Sequence, residues 1–526
     1  MKKTFSLTVI LMCSSFALAA EYFVDQKHPA AADKNPGTEA LPLKTLQAAV
    51  DLVKPGDTIW VKAGRYEEPV HINKTAEYNA PITLSAWKDD RVCIGFQPRA
   101  LRTQGKWTPV PGSKSFAIKL TEPLLDDCVI VLNDKGVNTV HRETPPRDDK
   151  TNWACYRKSD QTVMFNANGK DPGTLGEFKY GRASMGSPDF WVDQKTAWWV
   201  FKKLQFSWLC NGIHLCGDNC VVEDCFFTKC YRVGCFLHGR TNTVQRCNFY
   251  RCGSALAGSF VGPAALLDNN MIVECGLSAE DDIMIGFTKE QEDYNWESGG
   301  GPTCFKGNNL GMMFAYNILS ENTGGAGWYA DIDAESCRIL GNAFWDNPGG
   351  GIYNEYGVDD TTVIGNTFYR CGATAAMCTR FNVVENYFFQ SGLSWCSREW
   401  WMLRDSYMLS RKNVFNNPTY GYLLNYGKPF TQEGFVNSIS DFNRIYQDGD
   451  AVLLCDSGTD KVYRTLDDIR KTYGFEMHGQ VTPYRGQTAD EAVAPLGGSV
   501  VTFRVPWGKR TGEARPMLSN ADFECR

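Results

Sequence analysis

Gly327 to Gly357 reads GWYADIDAESCRILGNAFWDNPGGGIYNEYG. It holds two short segments of one shape, WYAD and IYNE. Trp328 answers Ile352, Tyr329 answers Tyr353 and Asp331 answers Glu355, each 24 residues on. Side chains alternate between the faces of a strand, so Tyr329 and Asp331 share one face and Tyr353 and Glu355 share the equivalent face. If 24 residues make one turn of a coil of parallel strands, equivalent positions stack at about 4.8 Å. Two carboxylates about 5–5.5 Å apart is the separation a retaining glycosidase needs.

The chain downstream of Val200 supports such a coil. A β-rich run ends in Asn or Cys, and a second Asn, Cys or Ser usually follows five residues later. The first positions are Cys225, Cys247, Asn270, Asn317, Asn342, Asn366, Asn386 and Asn413, in steps of 22, 23, 47, 25, 24, 20 and 27. The step of 47 is two turns, or one turn with an insertion. A repeat of 20–27 residues built on strands is a solenoid signature.

Upstream, Tyr22 to Asp25 and Thr58 to Lys62 read as strands, and Leu43 to Val53 has helical spacing. Such a helix would cover the open end of the coil and its unpaired backbone groups. The run NPGT, then PLKTLQAAVDLVKPGD, then Gly64-Arg65-Tyr66 resembles the N-terminal end of the right-handed parallel β-helix proteins of the pectate-lyase-like superfamily. The resemblance implies an all-β chain: a right-handed parallel β-helix with an N-terminal helical cap. It implies little about chemistry, because one fold hosts many activities.

Residues 97–195 lose the coil pattern and read as an inserted β-rich subdomain, with antiparallel strands at Lys114–Leu120, Asp127–Leu132 and Gln161–Asn166. Trp191, Trp198 and Trp199 close it, packing it onto the coil or offering faces to a sugar. The full division is a signal peptide over 1–19, cap and first turns over 20–96, the insert over 97–195, the coil over 196–440, and a C-terminal turn, cap helix and tail over 441–526. In the tail, Leu466–His478 reads as a helix over the far end and Val500–Val505 as a last strand.

Lys2 and Lys3, the apolar run Phe5–Leu18 and Ala17-Leu18-Ala19 fit a secretory signal, so a secreted or periplasmic location is expected. No other run is long and apolar enough to span a membrane. With 54 basic and 60 acidic residues and no basic cluster, nucleic acid is not an expected partner. Most of the 20 Cys recur with the coil's own period, which argues for stacked buried thiols, with a few disulfides allowed. No zinc-type spacing, phosphate loop or Ser-His-Asp pattern occurs. No cofactor is expected, although Ca²⁺ is an option for exposed carboxylates on such a coil.

Counted from each first Asn or Cys, Asp331 and Glu355 fall in a column with His238, Phe260, Thr379 and Glu399, with Asp281 and Asp282 nearby. A line of polar groups along an outer face is a natural saccharide groove. One carboxylate of the pair would attack the anomeric carbon. The other would protonate the leaving oxygen and later activate water, and their closeness would help hold the acid protonated. Read more plainly, they are solvated surface charges.

The run Trp328-x-x-Asp331, with Arg338 seven residues on, Glu355 24 on and Asn295-Trp296-Glu297-Ser298-Gly299-Gly300 upstream, resembles β-helix glycosidases of the family 120 β-xylosidase type. The family 141 glycosidases, which include a fucosidase, share the architecture. The resemblance implies Asp331 as nucleophile and Glu355 as acid/base. Trp296, Glu297, Lys306, Trp328, Tyr329, Asp333, Arg338, Tyr353, His238 and Glu399 are the candidate substrate-binding residues. Glu297 sits in the Gly-rich WESGGGPTCFKG loop, where backbone can approach a ligand closely; it binds hydroxyls, rivals Glu355 as the acid, or braces its loop. This chain lacks the His that commonly follows the second carboxylate in that family, and Asp333 and Glu335 lie beside Asp331. The expected substrate is a plant or algal polysaccharide or its oligosaccharides. The other readings are a polysaccharide lyase on the same coil, recruiting Lys306, Arg338, His238 or Asp281/Asp282, and a non-catalytic carbohydrate-binding surface protein.

Overall fold

The computed structural model describes residues 19–494, apart from short internal stretches and the longer ones 144–152, 183–189, 277–283, 286–302, 398–407 and 427–437. Residues 1–18 of the expected signal peptide and the expected strand Val500–Val505 lie outside the described residues. Successive turns of the coil contribute short strands to three sheets, and among the described residues each of these sheets holds 13 strands. The turn Thr361–Ile364, Thr367–Tyr369, Ala373–Ala376 is representative. Successive strands pair in parallel with their equivalents one turn on, Phe344 with Phe368 and Phe368 with Phe388; the last pair, Leu454–Asp456 with Lys461–Tyr463, is antiparallel. The architecture is therefore the expected parallel solenoid.

The step of 47 residues is one turn with an insertion. Leu266–Asp268 pairs directly with Met313–Ala315, and Met271–Val273 with Ile318–Ser320. Part of that excursion, Met284–Ile285, pairs with Lys135–His141 of the separate sheet that spans Arg99–Ala100 to Phe178–Arg182. This sheet has its own core, including Ile130, Tyr156, Phe165 and Tyr180. It meets the coil where a Cβ on Gly181 would lie 3.2 Å from the Tyr231 hydroxyl. Phe190–Val192 already belongs to the coil, between Val70–Ile72 and Asn211–Leu215.

The recurring Asn residues explain how the chain turns its corners. The residue before each ladder position is left-handed: Arg246, Asn269, Tyr316, Glu385 and Lys412 have φ between 53 and 56°. This conformation costs a non-glycine residue about 1–2 kcal/mol. The corner is held because the next residue joins a continuous hydrogen-bonded ladder. Asn317 donates from its backbone N (2.8 Å) and its Nδ2 (3.0 Å) to Asn342 Oδ1. Asn342 repeats this to Asn366, Asn366 to Asn386, Asn386 to Asn413 and Asn413 to Asn443. Every ladder Asn is buried, so each unmade bond would leave a costly orphan.

Aromatic rings stack at the same pitch inside the coil. Phe206, Phe227 and Phe249 form one run and Phe344, Phe368, Phe388 and Phe415 another, with centroids 4.6–5.0 Å apart. Gly351 faces the second run: a Cβ there would lie 2.6 Å from Phe368. The helix Leu46–Leu52, capped by Thr45, buries Leu46, Ala49 and Val50 against one end of this core. Leu466–Tyr473, capped by Thr465, buries Ile469 at the other. Both helices are shorter than expected: the first starts only after Leu43, which pairs with Val24, and Gly474, left-handed at φ 70°, stops the second.

Sixteen described cysteines carry free thiols, and all but Cys455 are buried. Burial pushes the thiols of Cys220, Cys337 and Cys371 up to about 12. They act as small apolar ladder fillers.

Candidate active site

The third sheet carries the candidate residues on strands Thr303–Lys306, Trp328–Asp331 and Ile352–Asn354. Trp328 pairs with Ile352, Tyr329 with Tyr353 and Ala330 with Asn354. Glu355 N donates to Ala330 O at 2.8 Å, which extends the ladder one step and sets Glu355 beside Asp331. The neighbouring strand adds Lys306, in direct register with Asp331, and Ser259 registers with Lys306. Ser259, Lys306, Asp331 and Glu355 thus form one row across four adjacent strands.

Tyr329 and Tyr353 stack at 5.7 Å with planes 6° apart. The Tyr329 hydroxyl donates to Glu355 Oε2 at 2.6 Å. Glu355 is half-buried, with Asn354 turned inward beside it. Stacked face to face along the coil axis, the two tyrosines turn edges and hydroxyls outward. They suit polar contact with a sugar better than ring stacking.

Trp328 corrects an expectation. It is fully buried, between Phe305 and Phe314, and its Nε1 donates to Asn354 Oδ1 at 3.1 Å. It ties together the two strands that carry Asp331 and Glu355 and cannot touch substrate. Strand alternation by itself places it opposite Tyr329. Arg338 is also displaced from the site. It lies on the first sheet, paired with Met313 and Thr362, and donates to the backbone oxygens of Asp360 (2.9 Å) and Cys337 (3.1 Å). Its carboxylate partner is Asp360 at 3.6 Å, across the corner from the site.

The expected column is corrected as well. Leu237 registers with Gly258, so Ser259 rather than Phe260 follows His238. Beyond Glu355 the row continues to Ala376 and Cys396; Phe260 and Thr379 lie outside the described residues. Turns differ in length between corner and third-sheet strand, so counting from the corner drifts. Trp296, Glu297, Asp333 and Glu399 lie outside the described residues, as do Asp281 and Asp282. Among the described residues no group of three or more His, Cys, Asp and Glu is arranged to hold a metal ion. No helix among them is long and apolar enough to cross a membrane.

His238 lies at the far end of the row, half-buried and stacked on His214 at 5.2 Å. His214 was missed from sequence. Its signal is the matched pair NGIHLCG and VGCFLHG, which brings His214 into register with Phe236.

The family described as right handed beta helix region matches residues 193–392. No curated protein matches the chain. Many solved structures are similar to it, among them the following three. XylC in complex with xylose is 12% identical, with a TM-score of 0.48 over 83% of this chain and 86% of that one. The GH136 lacto-N-biosidase from Eubacterium ramulus is 11% identical, with a TM-score of 0.41 over 88% and 68%. The PL6 family alginate lyase AlyGC is 10% identical, with a TM-score of 0.50 over 85% of this chain and 54% of that one. At such identities likeness speaks of fold alone, and hydrolase and lyase both occur among the neighbours. The matched region and the three sheets of stacked parallel strands show the fold, a right-handed parallel β-helix.

Proposed function

We propose that the chain is a retaining glycoside hydrolase acting on plant or algal polysaccharide or its oligosaccharides. The observation that carries this reading is the register that sets Glu355 beside Asp331 on adjacent strands. The Asp331 carboxylate attacks the anomeric carbon as the bond to the leaving oxygen breaks, and Glu355 donates its proton to that oxygen. Glu355 then takes a proton from water, which displaces Asp331 and returns it as carboxylate. Tyr329 holds Glu355 by a hydrogen bond, and the resemblance of the Trp328-x-x-Asp331 run to the family 120 glycosidases supports the same roles.

Lys306 beside Asp331 favours a second reading, a lyase in which an amine removes the proton next to a uronate carboxylate. One experiment separates the two. The purified protein is screened on aryl glycosides and on neutral and uronate polysaccharides, alongside Asp331→Ala, Glu355→Ala and Lys306→Ala. Reducing sugar released without unsaturated-uronate absorbance, and lowered about 10²–10⁴-fold in both carboxylate variants, supports the hydrolase. Absorbance that grows with added Ca²⁺ and is lost in Lys306→Ala supports the lyase. Turnover untouched by all three variants removes the site, and silence on every substrate leaves a binding protein.

A further inference from the structure

The last described segment folds back over the coil. After Gln480–Thr482, the final strand of the second sheet, residues 483–492 run onto that sheet's outer face. Asn416 Nδ2 donates to Gln487 O at 2.9 Å, and the Tyr446 hydroxyl donates to Ala492 O at 3.1 Å. Ala492 joins Tyr387, Val414 and Tyr446 in one apolar cluster, against which Tyr484 and Phe389 pack. From Phe389 an aromatic row continues past this cover. Phe389 stacks on Tyr369 at 4.7 Å and Tyr369 on Trp345 at 3.8 Å, across three adjacent strands. All three are half-buried, and strand alternation turns them away from the Phe344, Phe368 and Phe388 rings inside the coil. Arg370 stands at the margin of the row, over Tyr369 at 4.8 Å and paired with Asp346.

The sequence that follows matches this row. Residues 501–507 read VTFRVPW, in which Val501, Phe503, Val505 and Trp507 alternate with Thr502, Arg504 and Pro506. A period of two puts the four apolar side chains on one face of an extended segment, and that face is about 20 Å long. From Phe389 past Trp345 to Val273 is four strand spacings, about 19 Å. Pro506 lacks a backbone donor, which disfavours a place in a ladder and leaves packing by side chains open. The reach fits as well. Trp345 lies four strands from Tyr446, about 19 Å, and residues 493–500 can span roughly 26 Å when extended. Residues 398–407 and 427–437 join the third sheet to the first, at the corner away from this face, and 286–302 belong to a turn two strands beyond Trp345.

We propose that the outer face of the second sheet, from Phe389 to Trp345 and onward, is the docking strip for the chain's own segment 501–507, which continues the path of 483–492 along the coil. The recognition is apolar. Rings stacked face to face turn their edges outward, and Phe503 and Trp507 meet such edges in the edge-to-face arrangement that aromatic pairs favour. A solenoid's turns are otherwise held by their nearest neighbours alone, so a segment lying across several turns ties them together. This inference does not depend on the hydrolase reading.

The test uses the full chain. A photoreactive benzophenone side chain in place of Phe503 is expected to cross-link, within one molecule, to peptides carrying Trp345, Tyr369 or Phe389. Trypsin is expected to cut after Arg504 about 10-fold faster or more in Phe503→Ser and in Tyr369→Ser than in the unaltered chain. Phe503→Ser changes only the tail, so its outcome does not rest on the coil tolerating a substitution. Cross-links to Gln480–Thr482, to the third sheet, to another molecule or to no peptide would overturn the proposal. So would cleavage after Arg504 at one rate in all three proteins. The result of the glycosidase screen does not bear on it.

Discussion

The hydroxyl of Tyr329 donates to Glu355 Oε2 at 2.6 Å, from one strand of the third sheet to the next. A hydrogen bond to a charged group contributes about 1.5–3 kcal/mol. If Glu355 is the acid/base, this bond sets its orientation. Tyr329→Phe is then expected to lower kcat by about 10–100-fold with a smaller change in KM. Steady-state kinetics on an aryl glycoside checks this, and an unchanged kcat would remove Glu355 from the chemistry.

Trp328 acts at one remove, through Asn354. Trp328→Phe keeps a ring in the core but takes the donor from a fully buried amide oxygen. The expected cost is about 1–3 kcal/mol of stability, read as a lower midpoint in urea with an unchanged m-value.

Glu476 ends the asparagine ladder. Its carboxylate accepts from Asn443 Nδ2 at 2.7 Å, Asn443 N at 3.3 Å, Ser440 Oγ at 2.6 Å and Tyr422 Oη at 2.8 Å. Glu476→Ala leaves several buried donors without an acceptor. It is expected to cost about 3 kcal/mol or more. Glu476→Gln, which keeps one acceptor oxygen, should cost less. Hydrogen exchange is expected to show the loss concentrated in the last turns, since a solenoid's stability is a sum of neighbour terms.

Stability should also fall in acid through His214. Its ordinary value is 6.5 and its folded value about 3. Above 6.5 neither folded nor unfolded chain binds the proton, and the contribution is fully present. As pH falls below 6.5, the unfolded chain takes up a proton that the folded chain refuses, and stability is lost until about pH 3. The loss approaches about 1.4 kcal/mol per pH unit. Urea melts of wild type and His214→Phe at neutral and mildly acidic pH should show a shallower acid slope in the variant. Equal slopes would mean that His214 is not buried neutral.

What the sequence by itself determined is the solenoid and its caps. A repeat fold writes its corners locally: a left-handed residue, then a buried Asn or Cys, within one short segment, as at Glu385-Asn386 and Lys412-Asn413. The same local logic reads the Thr45-capped helix and the pairing of Tyr329 with Tyr353 at a constant offset. Tertiary structure decided the rest. The bends between sheets differ in length, so only the formed ladder shows that Lys306 is in register with Asp331 and that Arg338 has turned onto another sheet. Trp328 faces the core because its strand packs that way, whatever its place in a motif. That His214 is buried against Trp191, Phe236 and His238 could not be read from its own strand, because burial is a property of everything that surrounds a side chain in space.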